Sequence, residues 1–214
     1  VLAAIPALVE PPASRAPGPL DAVWGDKTSE VAHYALDYGA APVASVVQVV
    51  SYERRTDTVR IVRLDETERE GPCPTRTALT VRVARSDPGR LVGATHSTQG
   101  SWGSTFTTDP VGSGPYADDA VLAEQLLLAL RAQPLERGER TLPLAGGTRP
   151  SVTIHVGDDE TVETGLGAMK CARVDVGDPG APWLQVWVGR EASHAVARWK
   201  QGGDEGVLEA LERR

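Results

Sequence analysis

Four histidines, His33, His96, His155 and His194, are the first candidates for chemistry, and none stands in HxH or HExxH spacing with another. Holding two imidazoles on one metal from a single strand or helix needs that spacing. The sequence therefore predicts no metal site. His155, between Ile154 and Val156, falls on the polar phase of a strand and reads as a solvent-facing or hydrogen-bonded side chain. A GxSxG nucleophile elbow is absent. Gly112-Ser113-Gly114 precedes a helix as phosphate loops do, but no Gly-Lys-Ser/Thr follows, so it reads as a turn. Asp158, Asp159, Glu160 and Glu163 cluster without the regular oxygen spacing of a calcium loop and read as a solvated turn. No catalytic constellation is visible, and no cofactor is indicated.

Two cysteines and a pair of tryptophans remain. Cys73 and Cys171 stand in neither a CxxC nor a metal-ligand spacing. They read either as one long-range disulfide, in an oxidising compartment, or as two buried thiols acting as small hydrophobes. Trp183 and Trp187 lie four apart in a strand-like stretch, an even spacing that places them on one face. If that face is concave they are platforms for an apolar or lipid-like ligand; otherwise they fill a core.

The elements that must position these residues are mostly strands. Val59-Arg60-Ile61-Val62-Arg63-Leu64 is β-branched, Leu79, Val81 and Val83 alternate with polar residues, and Val152, Ile154 and Val156 do the same. Asp87-Pro88-Gly89-Arg90 predicts a β-turn, Gly157-Asp158-Asp159 another, and Gly177-Asp178-Pro179-Gly180 a third. Residues 194–200 predict a late strand, and Val207 to Leu211 a strand or helical turn. One helix is predicted, from Asp118 or Asp119 as N-cap to Arg131, ending before Pro134. Its Leu122, Leu126 and Leu130 share a face that Leu127 and Leu128 widen, so it should pack broadly on a sheet, with Leu126 over a ligand cavity if one exists. Strands joined by turns of a few residues must be mainly antiparallel. The predicted fold is thus mainly β, a curved antiparallel half-barrel with one α-helix across its concave face; a closed β-barrel is the alternative.

The 214 residues contain 41% hydrophobic and 24% charged residues, enough to build a core and inconsistent with a disordered chain. A formal net charge of −7 argues against nucleic acid as a partner. No apolar run reaches the roughly 18 to 20 residues of a spanning helix. The longest candidate, Val1 to Val9, contains Pro6 and leads into a Pro-rich stretch, Glu10 to Pro19. Residues 1–28 read as a Pro-rich tail or tether, the trimmed end of an export segment being one origin, and residues 29–214 as a single domain.

From Ala117 onward the chain resembles the bacterial domain-of-unknown-function 3108 family. The resemblance rests on residues 127–135 (Leu-Leu-Ala-Leu-Arg-Ala-Gln-Pro-Leu), Gly138 and Leu142-Pro143-Leu144. It continues through Glu160-Thr161-Val162, Gly167-Ala168-Met169-Lys170-Cys171, Val186-Trp187-Val188 and Ala195-Val196-Ala197-Arg198. It covers about half the chain, while residues 75–109 depart from the pattern. It implies an exported half-barrel similar in shape to the periplasmic lipoprotein carriers, and no reaction.

Together these readings predict a non-enzymatic, exported, periplasmic protein that binds an apolar molecule, a lipid or an envelope partner in its half-barrel. The alternative is a cytoplasmic biosynthetic enzyme that uses the same cavity to position a reactive intermediate, catalysis that needs no motif. The cysteines give a first test. If Cys73 and Cys171 are joined, a loop of about 98 residues is closed, which contributes on the order of 4 kcal/mol in the chain-entropy model. The expected result is a mass gain of two hydrogens on reduction; two alkylatable thiols in denatured, unreduced protein would dispose of the link.

Overall fold

The alternating stretches form twelve strands and the Leu/Ala-rich stretch a helix: β1 (Ser29–Asp37), β2 (Ala44–Glu53), β3 (Thr58–Thr67), β4 (Thr75–Ala84), β5 (Asp87–Gln99), β6 (Thr107–Pro110), α1 (Ala117–Arg131), β7 (Gly138–Pro143), β8 (Ser151–Thr164), β9 (Gly167–Asp178), β10 (Ala181–Gly189), β11 (Val196–Gln201) and β12 (Asp204–Arg213). The computed structural model describes residues 27–37, 44–67, 75–99, 107–110, 117–146 and 149–214. Val1 to Pro19, Cys73 and Gly112-Ser113-Gly114 lie outside them.

All the strands join one antiparallel sheet in the order β6-β5-β4-β3-β2-β1-β12-β11-β10-β9-β8-β7. It consists of two six-stranded meanders, linked covalently through α1 and by hydrogen bonds where β1 pairs with β12. The sheet is curved and remains open. Among the described residues its two ends meet at a parallel bridge, where Leu91 N–H donates to Ala145 O at 2.7 Å and Ala145 N–H donates to Gly89 O at 2.9 Å. This seam explains two glycines. A Cβ on Gly89 would lie 2.7 Å from Pro143 O, and one on Gly146, at φ +83°, 2.2 Å from Leu91 O. The closed-barrel alternative therefore gives way to a half-barrel whose edges touch at one point. Edge strand β7 ends on Pro143, which cannot donate to a further strand.

Helix α1 lies inside the curve. Its Ala, Leu, Glu and Gln content suits a helix, with Val121 its only β-branched residue. Every residue from Val121 to Arg131 is buried, as for a helix that is apolar nearly all round. One side, with Leu122, Leu126 and Leu130, packs into a cluster with Ile154, Val174, Val176, Leu184, Val186 and other residues of β1 and β7–β12. The other, with Val121 and Leu128, packs on Val50, Val59, Ile61, Leu79, Val81 and Val83 of β2–β4. The helix thus separates two apolar clusters and completes both.

Two local expectations are corrected and one open alternative is decided. Asp87-Pro88-Gly89-Arg90 is the start of β5, the turn being Arg85–Ser86, because Gly89 and Leu91 bond across the seam. Gly157-Asp158-Asp159 is no turn: β8 runs through it, accommodating the polar residues in a register irregularity between Val156 and Asp159. The Val207 to Leu211 stretch is strand, within β12.

The long β8–β9 hairpin returns its tip to β12, which β11 leaves uncovered beyond Val207. Gly165 N–H donates to Leu208 O at 2.9 Å, so close that a Cβ there would lie 2.2 Å from Glu209 O.

Leu126 is fully buried between helix and sheet. Leu126→Ala should lower stability by about 2 to 5 kcal/mol, as buried leucine truncations do, measured by denaturant unfolding. A cost under about 0.5 kcal/mol would place the helix outside the core.

Candidate functional site

The helix carries three buried polar side chains, Glu124, Gln125 and Arg131, and a buried polar group must find a partner. Each finds one on a different part of the sheet. Gln125 Nε2 donates to Gly89 O at 2.5 Å, tying the helix to the seam. Glu124 accepts from Gln48 Nε2 at 2.5 Å and from Arg63 Nη1 at 3.3 Å. Arg63 in turn donates to Asp65 at 2.8 Å and lies 4.8 Å from the centroid of the Trp199 ring.

At the C-terminal end Arg131 grips Glu30 with both terminal nitrogens, at 2.6 and 2.8 Å, and reaches Ser193 O at 3.2 Å. Arg213 binds the same carboxylate at 2.9 Å and the same carbonyl at 3.0 Å. His194, held at φ 42°, places Nδ1 2.8 Å from Arg131 O and so caps the last helical carbonyls. Among the described residues, the contacts at the N-terminal end are exposed: Arg149 Nη2 lies 3.2 Å from Asp119 Oδ1 and Gln201 Nε2 donates to Asp119 O at 3.4 Å.

These environments push two carboxyls in opposite directions. Burial alone would raise Glu30, but the guanidinium groups of Arg131 and Arg213 outweigh it and hold the carboxyl below the usual range. For Glu124 burial wins over Arg63 and Gln48, and its carboxyl is pushed up. Tyr34, whose hydroxyl donates to Val196 O at 3.3 Å, is raised by burial. A gap between helix and sheet, lined by Gln48, Val50 and Ile61 on one side and Glu124, Leu128 and Arg131 on the other, has no room for a water molecule. The cluster as it stands secures the helix; nothing in it faces space that a substrate could occupy.

The sequence-derived site residues separate. Leu126 lies in the helix–sheet core. A register irregularity between Pro182 and Leu184 breaks the alternation that would have aligned the two tryptophans. Trp183, half-buried at the margin of the core, lies under Arg149, 5.5 Å from the ring centroid, next to the start of the helix. Trp187 alternates with Val186 and Val188 and so points to the opposite face of β10 from theirs, where it is nonetheless buried, 4% exposed, and packs with the core cluster. There its Nε1 donates to Glu160 at 2.6 Å, and Arg198 and Arg173 lie 4.9 and 5.8 Å from its centroid.

Among the described residues, the tryptophan that faces the helix is Trp199, opposite Val186 and beside Gly206. A Cβ on Gly206 would lie 2.4 Å from the Trp199 ring, so the glycine makes room for the indole. Tyr34 meets it edge-on at 6.5 Å. Cys171 is a buried thiol, pushed up to about 11 by burial, with Sγ 3.5 Å from Met169 O; its partnership with Cys73 lies outside the described residues. His155 pairs with Glu139 at 3.5 Å, Asp158 with Arg137 at 2.7 Å, and Asp159 with Arg190 and Lys170 at 2.6 and 3.1 Å.

No protein-family model and no curated protein matches the chain. Among solved structures it is similar to a beta-barrel-like protein of domain of unknown function 1849 from Brucella abortus, at 12% identity and a TM-score of 0.44, covering 88% of this chain and 98% of that one. A second, a "putative lipoprotein" from Parabacteroides distasonis, shows 10% identity and a TM-score of 0.33, covering 89% and 98%. Neither likeness transfers a function, and the family named from the sequence is not matched.

The opposed carboxyls give a prediction with a sign. Glu30, held low, contributes stability above the ordinary carboxylate range, and that contribution is lost as pH falls through its folded value. Glu124, held high, does the reverse: its contribution is complete at low pH and lost as pH rises through its folded value. At neutral pH Glu30→Gln should therefore cost about 3 to 5 kcal/mol by leaving Arg131 buried without its counter-charge. Glu124→Gln should cost far less and flatten the loss at rising pH. Urea titrations of both variants at pH 4 to 8 measure this.

Proposed function

We propose that the chain is a non-catalytic binding protein whose half-barrel holds an apolar or lipid-like molecule, with α1 occupying the trough until the ligand displaces it. One observation carries this reading. The concave apolar lining, with Ile154, Val174, Val176, Leu184, Val186 and Val188, is covered chiefly by a separate helix. An apolar chain of similar width would cover the same lining. Among the described residues the anchoring is unequal, which supports the motion: the Arg131 end is held by buried, charge-assisted bonds, the Asp119 end by exposed ones. Trp183 and Trp199 are the sheet side chains such a ligand would touch, in the space that Leu126 and the rest of the apolar face of α1 otherwise fill. The Pro-rich stretch ahead of β1 and the resemblance of the C-terminal half to exported half-barrel proteins support an exported, periplasmic setting.

The test uses a long-chain fatty acid and the apolar dye 1-anilinonaphthalene-8-sulfonate. Both should bind at micromolar concentration and shift tryptophan emission. Trp199→Phe should remove most of that shift, whereas Trp187→Phe, on the other face, should leave it. Arg149→Ala, which frees the exposed end of the helix, should tighten binding several-fold with little change in melting temperature. If neither probe binds the native protein or Arg149→Ala, the trough is a core and the reading fails.

A further inference from the structure

The turns that follow β2 and β4 meet at one rim of the half-barrel, where Arg85 N–H donates to Asp57 O at 3.3 Å and the Arg85 guanidinium lies 4.9 Å from the Tyr52 ring centroid. Around them, residues 53–60 and 82–90 carry six arginines, Arg54, Arg55, Arg60, Arg82, Arg85 and Arg90, against three carboxylates, Glu53, Asp57 and Asp87. This cationic excess sits in a chain of net charge −7. The acids are already engaged. Glu53 faces Arg60 and Arg82 at 3.5 and 3.4 Å, Asp57 faces Arg85 at 3.9 Å, and Asp87 accepts from Gly89 N–H at 3.1 Å. Arg54, Arg55 and Arg90 are exposed, and Val92, two residues beyond Arg90, is 55% exposed, the most of any large hydrophobic among the described residues.

We propose that this rim docks the protein on an anionic lipid surface. Arginines on adjacent turns meet the phosphates of headgroups, and a protruding valine beside them enters the headgroup–acyl boundary. The charge complementarity is local, because the chain as a whole would be repelled by such a surface. Two turns at a rim can touch a plane together, with no matching recess required in the partner. This docking goes beyond the trough and holds whether or not the trough takes a ligand.

The experiment uses the full chain with vesicles of phosphatidylcholine alone or mixed with phosphatidylglycerol, read by co-sedimentation at low and high salt. The expected result is binding to the anionic vesicles only, lost as ionic strength rises. Reversing Arg54 and Arg55 to Glu should weaken it at least about tenfold, each charge near such a surface being worth about fivefold. Both side chains are exposed, so the melting temperature should not move. Val92→Ser should weaken binding further with the same salt dependence. Equal binding to neutral vesicles, no binding to anionic ones at low salt, or binding that survives the double reversal would each overturn the proposal. So would arginine-dependent binding to poly-glutamate without any to anionic vesicles, which would assign the rim to an acidic protein.

Discussion

A helix enclosed on every side can keep a polar side chain only where the surrounding sheet supplies its partner, and that requirement organises this molecule. The twelve-stranded sheet is too widely curved for its own side chains to fill the interior, so α1 supplies the missing apolar volume to two clusters at once. Close packing then fixes the helix laterally. Glu124, Gln125 and Arg131 fix it along its axis, because each matches one site: Gln48 and Arg63, the Gly89 carbonyl, and Glu30. Dispersion holds the helix in the trough and the polar bonds set its register, so losing either would leave the other unable to define one position.

The outer surface is divided in the same way. Over β8–β11 it carries interlocked charges above the buried Trp187 indole, with Glu160, Arg173 and Arg198 closing over it from neighbouring strands. Over β1–β3 it carries Val31, Val47, Val49, Val62 and Leu64 in cross-strand register, partly exposed. The first surface is held by paired charges at moderate exposure and should be sensitive to salt. The second depends on β-branched packing within the sheet and should not be.

Much of this was legible in the sequence. Period-two alternation in Leu79 to Val83 and Val152 to Val156 marked strands, and the run from Val121 to Leu130 marked the one helix of the described residues, because each follows from local geometry. What stayed hidden depends on long-range partners. Glu124 in a helix of this composition looks like a surface carboxylate; only Gln48, 76 positions earlier, makes it a buried one. Arg131 looked like a cation suited to a helix C-terminus, and its partner Glu30 is 101 positions away. Trp183 and Trp187 were placed together by strict alternation, which an irregularity of one residue undoes. Trp199, which faces the helix, had one available signal, Gly206 in the strand that follows it, where glycine leaves space for a ring.

The central pairing of the sheet has a consequence for the order of synthesis. Strand β1 is among the first described residues made, and its neighbour β12 is the last; Glu30 waits for Arg213, 183 positions later. Each meander can assemble from hairpins as it emerges, since its pairings are local. The helix cannot be buried on both sides until the two halves join, and that junction carries the largest loop-closure cost in the molecule. A growing chain would therefore present one edge of β1 unpaired, with Ala32, Tyr34 and Leu36 along its inner face, until β12 has been made. A binder of unfolded strands acting on the nascent chain would have its longest window there.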